Sequence, residues 1–382
     1  MRKEIEMKSI ISEIEKIRGE RKLDIDSSNS DRYCVVSSET DGTKSTYCFS
    51  TPIYNLASRR LVDLCFHNNG KEIFAECSNT KITLSDSILL ESTDGWAKIK
   101  VQTTFCGLNG GKALFDEDEI FPTTNGIVYK ARCNERDPFV FEMELSRAFA
   151  DIRSNGKCFA LMNTQFKPFI SVSSIGIVNS KGEVIAPADI SYQHFDSKKF
   201  RIIIIPRVDD GEYLLFEINM HEPKLIQDTT VESLYSKMNN AFGTTAFIGK
   251  TERFGEQWLY SKLDMNKIIT FSNKRINRVI LHIPRYNNEC GSLSAFGLSA
   301  RFCSFGSNWD NKVLSAKPLT DTASNNSYES LDITALLTDI NTKRIKHSEG
   351  FILKSKTKNG FTVISTGDSC YSPQILEINY NS

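Results

Sequence analysis

Ten cysteines are scattered along the 382 residues without a C-x-x-C pair, which excludes zinc-ribbon and thioredoxin-like sites. Histidine is scarce, and His67, His194, His221, His282 and His347 form no H-E-x-x-H. No G-x-S-x-G, P-loop or dinucleotide glycine fingerprint occurs. Proline is sparse, and no apolar run approaches the length of a membrane span. The opening MRKEIEMKSIISEIEKIRGERK is charged throughout and has no apolar core before a cleavage site, so it does not read as a secretory signal. The expectation is a cytoplasmic protein, or a surface, spore or particle component delivered without a standard signal. Lys plus Arg equals Asp plus Glu at 47 each, which argues against bulk binding to nucleic acid or a membrane surface.

Aromatic residues are what the chain has in quantity, with 24 Phe and 12 Tyr set in short β-branched runs that favour strands. Most cysteines sit beside apolar residues, as in VDLCF and ARFCSF. They read as small buried hydrophobes in a reduced compartment, with a disulfide framework the lesser reading.

Ile5, Met7, Ile10, Ile11, Ile14 and Ile17 recur at helical spacing and predict an amphipathic helix over about residues 2–22. It either packs on its own chain or serves self-association. The polar Asp24–Asp31 stretch reads as a flexible tether, giving a first segment of residues 1–32. From Tyr33 the period changes to that of short strands separated by DGTK, HNNGKE, SNTK, STDG and LNGG. These predict a β-sandwich-like domain over 33–133. A second series, PFVFEMEL to YLLFEINM, predicts an Ig-like sandwich over 134–225, with SRAFADIRSN as a short helix. RIIIIP is apolar on both faces and predicts a central strand. A third β-rich region fills 226–382. The fold class is therefore all-β: tandem antiparallel sandwiches with a short N-terminal helix.

The third region carries ordered landmarks. DTTVES (Asp228–Ser233) opens it, Asn240 and Gly243 follow, and Ile248-Gly249 ends a strand. Leu263-Asp264, RINRVILHI with Val279, Trp309-Asp310, LDIT (Leu331–Thr334), Gly350-Phe351 and ISTGDSCYSPQILEINY complete the series. In this order the landmarks resemble the DNRLRE-domain family, β-sandwiches related to disaggregatases and to some carbohydrate-binding modules. The resemblance covers about Ile226–Tyr380 and implies a sandwich fold and carbohydrate binding.

Lys250–Arg285 holds eight basic residues against three acidic ones, with Trp258 and Tyr260 among them. In a strand, Trp258, Tyr260 and Lys262 share one face. With Arg275 and Arg278 they form the candidate site: aromatics to stack on sugars and cations to pair with acidic groups, as an anionic polysaccharide would require. The bland alternative is that the aromatics are core and the cations a solvated face. Asp228, Asn239 and Asn240 are oxygen-rich enough to raise structural Ca²⁺, but their spacing is that of no regular loop, so no cofactor is expected. The acidic run at Asp116–Glu119 reads as a solvated loop. His282, opposite in face to Val279, Leu281 and Ile283, reads as a satisfied surface or edge histidine. No catalytic residue is assigned, and the expectation is a non-catalytic protein that binds a polysaccharide or cell-surface polymer. A structural subunit of a bacterial surface, spore coat or phage-like particle is the alternative, and a polysaccharide-degrading enzyme the third reading.

Overall fold

The structure, a computed structural model, describes residues 9–19, 21–95, 97–102, 107–109, 112–115, 118–133, 137–208, 211–221, 224–287, 293–314, 316–325, 327–357 and 359–381. Antiparallel strands dominate it, as the sequence predicts, and they form four sheets. Two compact units result: Pro52–Glu222 with the first residues of the chain, and Pro223–Ser382 with Ile14–Thr51.

In the first unit the two expected domains are one. Strand Gly126–Arg132 pairs along its whole length with Tyr213–Met220, and Phe139–Leu145 pairs with Lys98–Gln102. Both sheets therefore draw on both sides of residue 133, and no boundary exists there. One sheet has nine strands and the other eight. They pack face to face because alternation sends one set of side chains inward. In FVFEMEL, Phe139, Phe141, Met143 and Leu145 point to the core, while Val140, Glu142 and Glu144 are exposed. Phe141 and Tyr129 of opposite sheets both stack on Phe216, at 5.6 and 5.1 Å between centroids.

Two local expectations also change. SRAFADIRSN forms no helix; its Asp151–Ser154 is an edge strand paired to Cys158–Met162. Lys199–Ile205 is one strand in from a sheet edge and alternates, with Ile202 and Ile204 buried and Arg201 and Ile203 half-buried. Of the acidic run, residues 116–117 lie outside the described residues, and Glu119 is a strand residue held by Lys112 (2.7 Å) and Lys130 (3.0 Å).

The second unit is built from both parts of the chain. Its six-stranded sheet runs Cys34–Ser38, Thr43–Phe49, Ile375–Asn381, Ile276–Pro284, Tyr328–Asp332, Ala323–Ser324. A seven-stranded sheet of residues 226–365 covers it. Leu259, Leu263, Leu353 and Ile364 on one side meet Val279, Leu281, Leu331, Leu376 and Ile378 on the other. The hairpin 34–49 is thus part of the C-terminal sandwich and not the start of the next domain.

Within the first segment, helix Ile10–Ile17 is shorter than expected, residues 2–8 lying outside the described residues. Ile10 and Ile14 are buried. The Asp24–Asp31 stretch is no loose tether. Ile25 bridges to Ser37, and Asp26 takes hydrogen bonds from Lys44, Ser28 and Asn29. These contacts hold its carboxyl well below the usual range.

Arg18 clasps the hairpin by pairing with Glu39 and donating to the Tyr47 hydroxyl at 3.0 Å. Tyr47 in turn donates to Glu377 at 3.3 Å, and burial, with Glu377 beside it, pushes its phenol up to about 12. His282 contacts the same carboxylate at 3.1 Å and Ser330 at 2.9 Å. It is buried, not a surface histidine, because the polar row beneath it supplies both partners.

Cys34 and Cys48 face each other in register on adjacent strands and form a disulfide. The reading of all cysteines as reduced hydrophobes fails for this pair, because the hairpin turn, not the sequence spacing, brings them together. Closing a loop of this length stabilises by about 3 kcal/mol on chain-entropy grounds. Cys77, Cys158 and Cys370 are buried and outside any disulfide; Cys106 and Cys290 lie outside the described residues. No helix among the described residues is long and apolar enough to cross a membrane.

Thr46 is central in the hairpin's inner strand, where a proline removes a ladder hydrogen bond. Thr46→Pro is expected to abolish slow amide exchange across Ile375–Asn381 while Tyr213–Met220 stays protected. Protection retained at 375–381 would show that the sheet closes without the hairpin.

Candidate ligand-binding groove

Strand Gly255–Leu263 decides where the aromatic and basic residues go. Leu259 and Leu263 enter the sandwich core. Trp258 and Tyr260, on the opposite face, join a second, smaller apolar cluster with Val231, Leu298 and Ile352. Phe302, Trp309 and Val313, from the loop that follows Leu298, pack against this cluster. A loop that closes over a sheet face must satisfy its own backbone. It does so with Asn239, whose Nδ2 donates to the carbonyls of Ser304 and Ser307, both at 2.7 Å.

The five predicted site residues do not converge. Tyr260 is fully buried, its hydroxyl donates to the Val313 carbonyl at 2.7 Å, and burial raises its phenol above the ordinary value. It is core, as the bland reading had it. Lys262 lies on the same face and pairs with Glu349 at 3.5 Å. Arg278 belongs to the other sheet and pairs with Asp332 at 3.3 Å. Arg275 is exposed just before that strand. Half-buried Trp258 is the one of the five that lines the groove described next.

That cavity is an open groove of about 680 Å³ beside Trp258. Ser233, Thr251, Ser355 and Thr357 line it with Lys250, Lys356, Glu252, Glu256 and Leu234. Gly255 (φ +69°) lets two segments meet closely here: a Cβ at this position would lie 2.1 Å from the Ser233 hydroxyl. Exposed Leu234 and Tyr235 stand at one end, on the loop after strand Ile226–Glu232.

Four side chains that sequence reasoning did not group are held around Trp258. Its indole N–H donates to Glu256 at 2.7 Å. The Trp309 ring packs at 4.9 Å and 52°. Lys354 Nζ sits 3.5 Å from the Trp258 centroid, and Lys312 Nζ 3.9 Å from that of Trp309, where it also donates to the Trp309 carbonyl at 2.7 Å. Such cation–π contacts contribute about 0.5–1 kcal/mol each at partly exposed sites. Partial burial lowers the basicity of both lysines; for Lys354, Glu256 opposes this and Lys312 adds to it. Alternation in FILKS does place Lys354 on the outer face. Its meeting with Trp258 depends on strand order, which alternation does not encode.

The residues considered for Ca²⁺ are otherwise engaged. Asp228 turns inward and accepts the Gly367 N–H at 2.5 Å, so it ties strand to distant loop and not to its own following amides. Asn240 Nδ2 donates to the Thr230 carbonyl at 3.1 Å. Among the described residues no group of His, Cys, Asp or Glu is arranged to hold a metal. Asp228 instead hydrogen-bonds Asp368, which pairs with Lys224. Burial first, then the neighbouring Asp368, raises the Asp228 carboxyl well above its ordinary value. Burial raises the Asp368 carboxyl as well, but Lys224 and the hydrogen bond with Asp228 oppose this, so Asp228 is the carboxyl held further toward its neutral form.

Neither a protein-family model nor a curated protein matches the chain.

Because the folded state raises the Asp228 pKa, it retains a proton that the unfolded state loses above about pH 4. The stabilisation is complete below that pH and declines as pH rises through the folded pKa. Asp228→Asn is expected to flatten this slope in urea midpoints measured from pH 4 to 8. Asp368→Asn is expected to cost about 3–5 kcal/mol, by leaving Lys224 without its counter-ion. Equal effects of the two substitutions would refute the assignment of the proton.

Proposed function

We propose that the chain is a non-catalytic binding protein whose groove beside Trp258 receives a polar polymer, a polysaccharide or other cell-surface chain. The groove carries this reading: it is open, long enough to be lined by residues of several strands, and presents hydroxyls and charges of both signs beside one aromatic side chain. Such a lining suits a ligand rich in hydroxyls, whose many weak hydrogen bonds replace those to water. The proposed likeness of the C-terminal unit to DNRLRE-domain sandwiches supports it. Two residues of that series have local structural roles. Asp332 accepts the Thr334 amide at 3.0 Å, and Gly350 (φ +103°) approaches Ser261 so closely that a Cβ would lie 2.3 Å from its carbonyl.

One observation favours the second reading, a structural subunit of a surface layer, spore coat or particle. Leu234, Tyr235, Phe305 and Leu314 are exposed on the two loops of this unit, at 62, 45, 59 and 71%. Exposed apolar side chains grouped on one part of a surface are a feature of protein interfaces.

A glycan array probed with the full chain is expected to show binding that Trp258→Ala weakens about tenfold or more. The full chain is required, because a fragment starting at 226 lacks the hairpin of its own sandwich. No glycan bound, or binding indifferent to Trp258→Ala, would overturn the groove reading. Light scattering that finds a stable assembly, in the absence of any glycan binding, would favour the second reading.

A further inference from the structure

The aromatic rings beside the groove are already covered by cations, and this changes what the site can recognise. A sugar stacking on the Trp258 face beneath Lys354 would have to displace an ammonium 3.5 Å from the ring centroid. Trp309 is covered in the same way by Lys312 at 3.9 Å, and Lys312 is also 5.4 Å from the Trp258 centroid. What this corner offers a ligand is therefore charge, with the rings behind it as a scaffold.

The charge is also unbalanced. Among the described residues neither Lys312 nor Lys354 has a carboxylate within ion-pair distance, and neither does exposed Lys250 along the groove. By contrast Lys356 is paired with Asp321 and Lys262 with Glu349. Two carboxylates lie near without pairing: Asp310 acts on Lys312 from a distance, and Glu256 accepts the Trp258 indole N–H, which fixes it beside the ring. Lys312 spends one of its three N–H donors on the Trp309 carbonyl, and among the described residues the Lys354 ammonium makes only ring contacts, to Trp258 and at 5.2 Å to Phe296. Partly desolvated ammonium groups with free donors gain more from an anion than fully hydrated ones do. The lowered basicity of both lysines agrees with this placement.

We infer that Lys312 and Lys354 form an anion subsite at the Trp258 end of the groove, which receives an acidic group of an acidic polysaccharide. The inference rests on the groove reading and adds its charge specificity. The mixed lining selects this class over nucleic acid. Glu252 and Glu256 along the groove would repel a backbone bearing a phosphate at every residue, whereas a carbohydrate with spaced acidic groups can set hydroxyls there. The three lysines are too few and too local to make the balanced chain a general polyanion binder.

Two of the chain's three tryptophans, Trp258 and Trp309, stand at the subsite, and a charge arriving beside them alters their emission. Full-length protein is titrated with polygalacturonate, with the same polymer fully methyl-esterified, and with single-stranded poly(dT), following tryptophan fluorescence. Polygalacturonate is expected to bind about tenfold or more tightly than its ester. The double substitution Lys312→Gln, Lys354→Gln is expected to erase that preference and leave the weaker binding of the ester in place. Thermal melting checks that this variant folds, and Arg275→Gln, just before a strand of the other sheet, is expected to change nothing. Equal binding of acid and ester, or a preference that survives the double substitution, overturns the subsite while the groove reading stands. Tighter binding of poly(dT) than of polygalacturonate overturns the ligand class. Failure of every polymer to bind overturns the subsite together with the groove.

Discussion

The pairing of Thr43–Phe49 with Ile375–Asn381 is the contact on which the C-terminal sandwich depends. Seven residues of one strand meet seven of the other in register, from Thr43 opposite Asn381 to Phe49 opposite Ile375. Without the hairpin, the last strand would be a sheet edge with bare amides and carbonyls, a template for unwanted pairing. With it, the hairpin becomes the sheet's outer pair, locked by the cross-strand Cys34–Cys48 bond and by Arg18 reaching Glu39 and Tyr47. Everything proposed for the groove rests on this closure, since the seven-stranded sheet bearing Trp258 buries its inner face against the six-stranded one.

Polar groups inside that sandwich are handled by pairing. Glu329 is wholly buried, yet Arg285 meets it at 3.1 Å while Thr322 and Ser324 donate to its carboxylate. Asp228, Asp368 and Lys224 form a second such group. Buried charges left single would cost several kcal/mol each, so these clusters specify which loops meet which strands as much as they stabilise. Around Trp258 the rule differs: Lys312 and Lys354 face aromatic rings in place of carboxylates, which is the basis of the anion subsite proposed there.

The all-β class and most strands were legible because a two-residue period survives in runs such as FVFEMEL and EQWLYSKLD. Strand order was not legible, because alternation states which face a side chain takes and nothing about the neighbour. The boundary expected at residue 133 failed for that reason: a turn-rich stretch near Cys133 reads the same whether it divides two domains or joins two sheets of one. At the site, alternation put Trp258, Tyr260 and Lys262 on a common face correctly. The loop that buries Tyr260 contributes from some forty residues downstream, so exposure was beyond reach. Arg275 and Arg278 were grouped with Trp258 by closeness in sequence, yet the next strand of a sandwich often lies in the opposite sheet, as theirs does.

The strand order has a consequence for biosynthesis. A hairpin made among the first fifty residues takes its place in a sheet only when the strand 375–381 has left the ribosome. At about 5–20 residues per second, that is an interval on the order of tens of seconds. During it the unit of residues 52–222, whose strands are contiguous in the chain, has all it needs to fold. The hairpin's apolar face stays uncovered meanwhile, its two strands tied to each other once Cys34 meets Cys48.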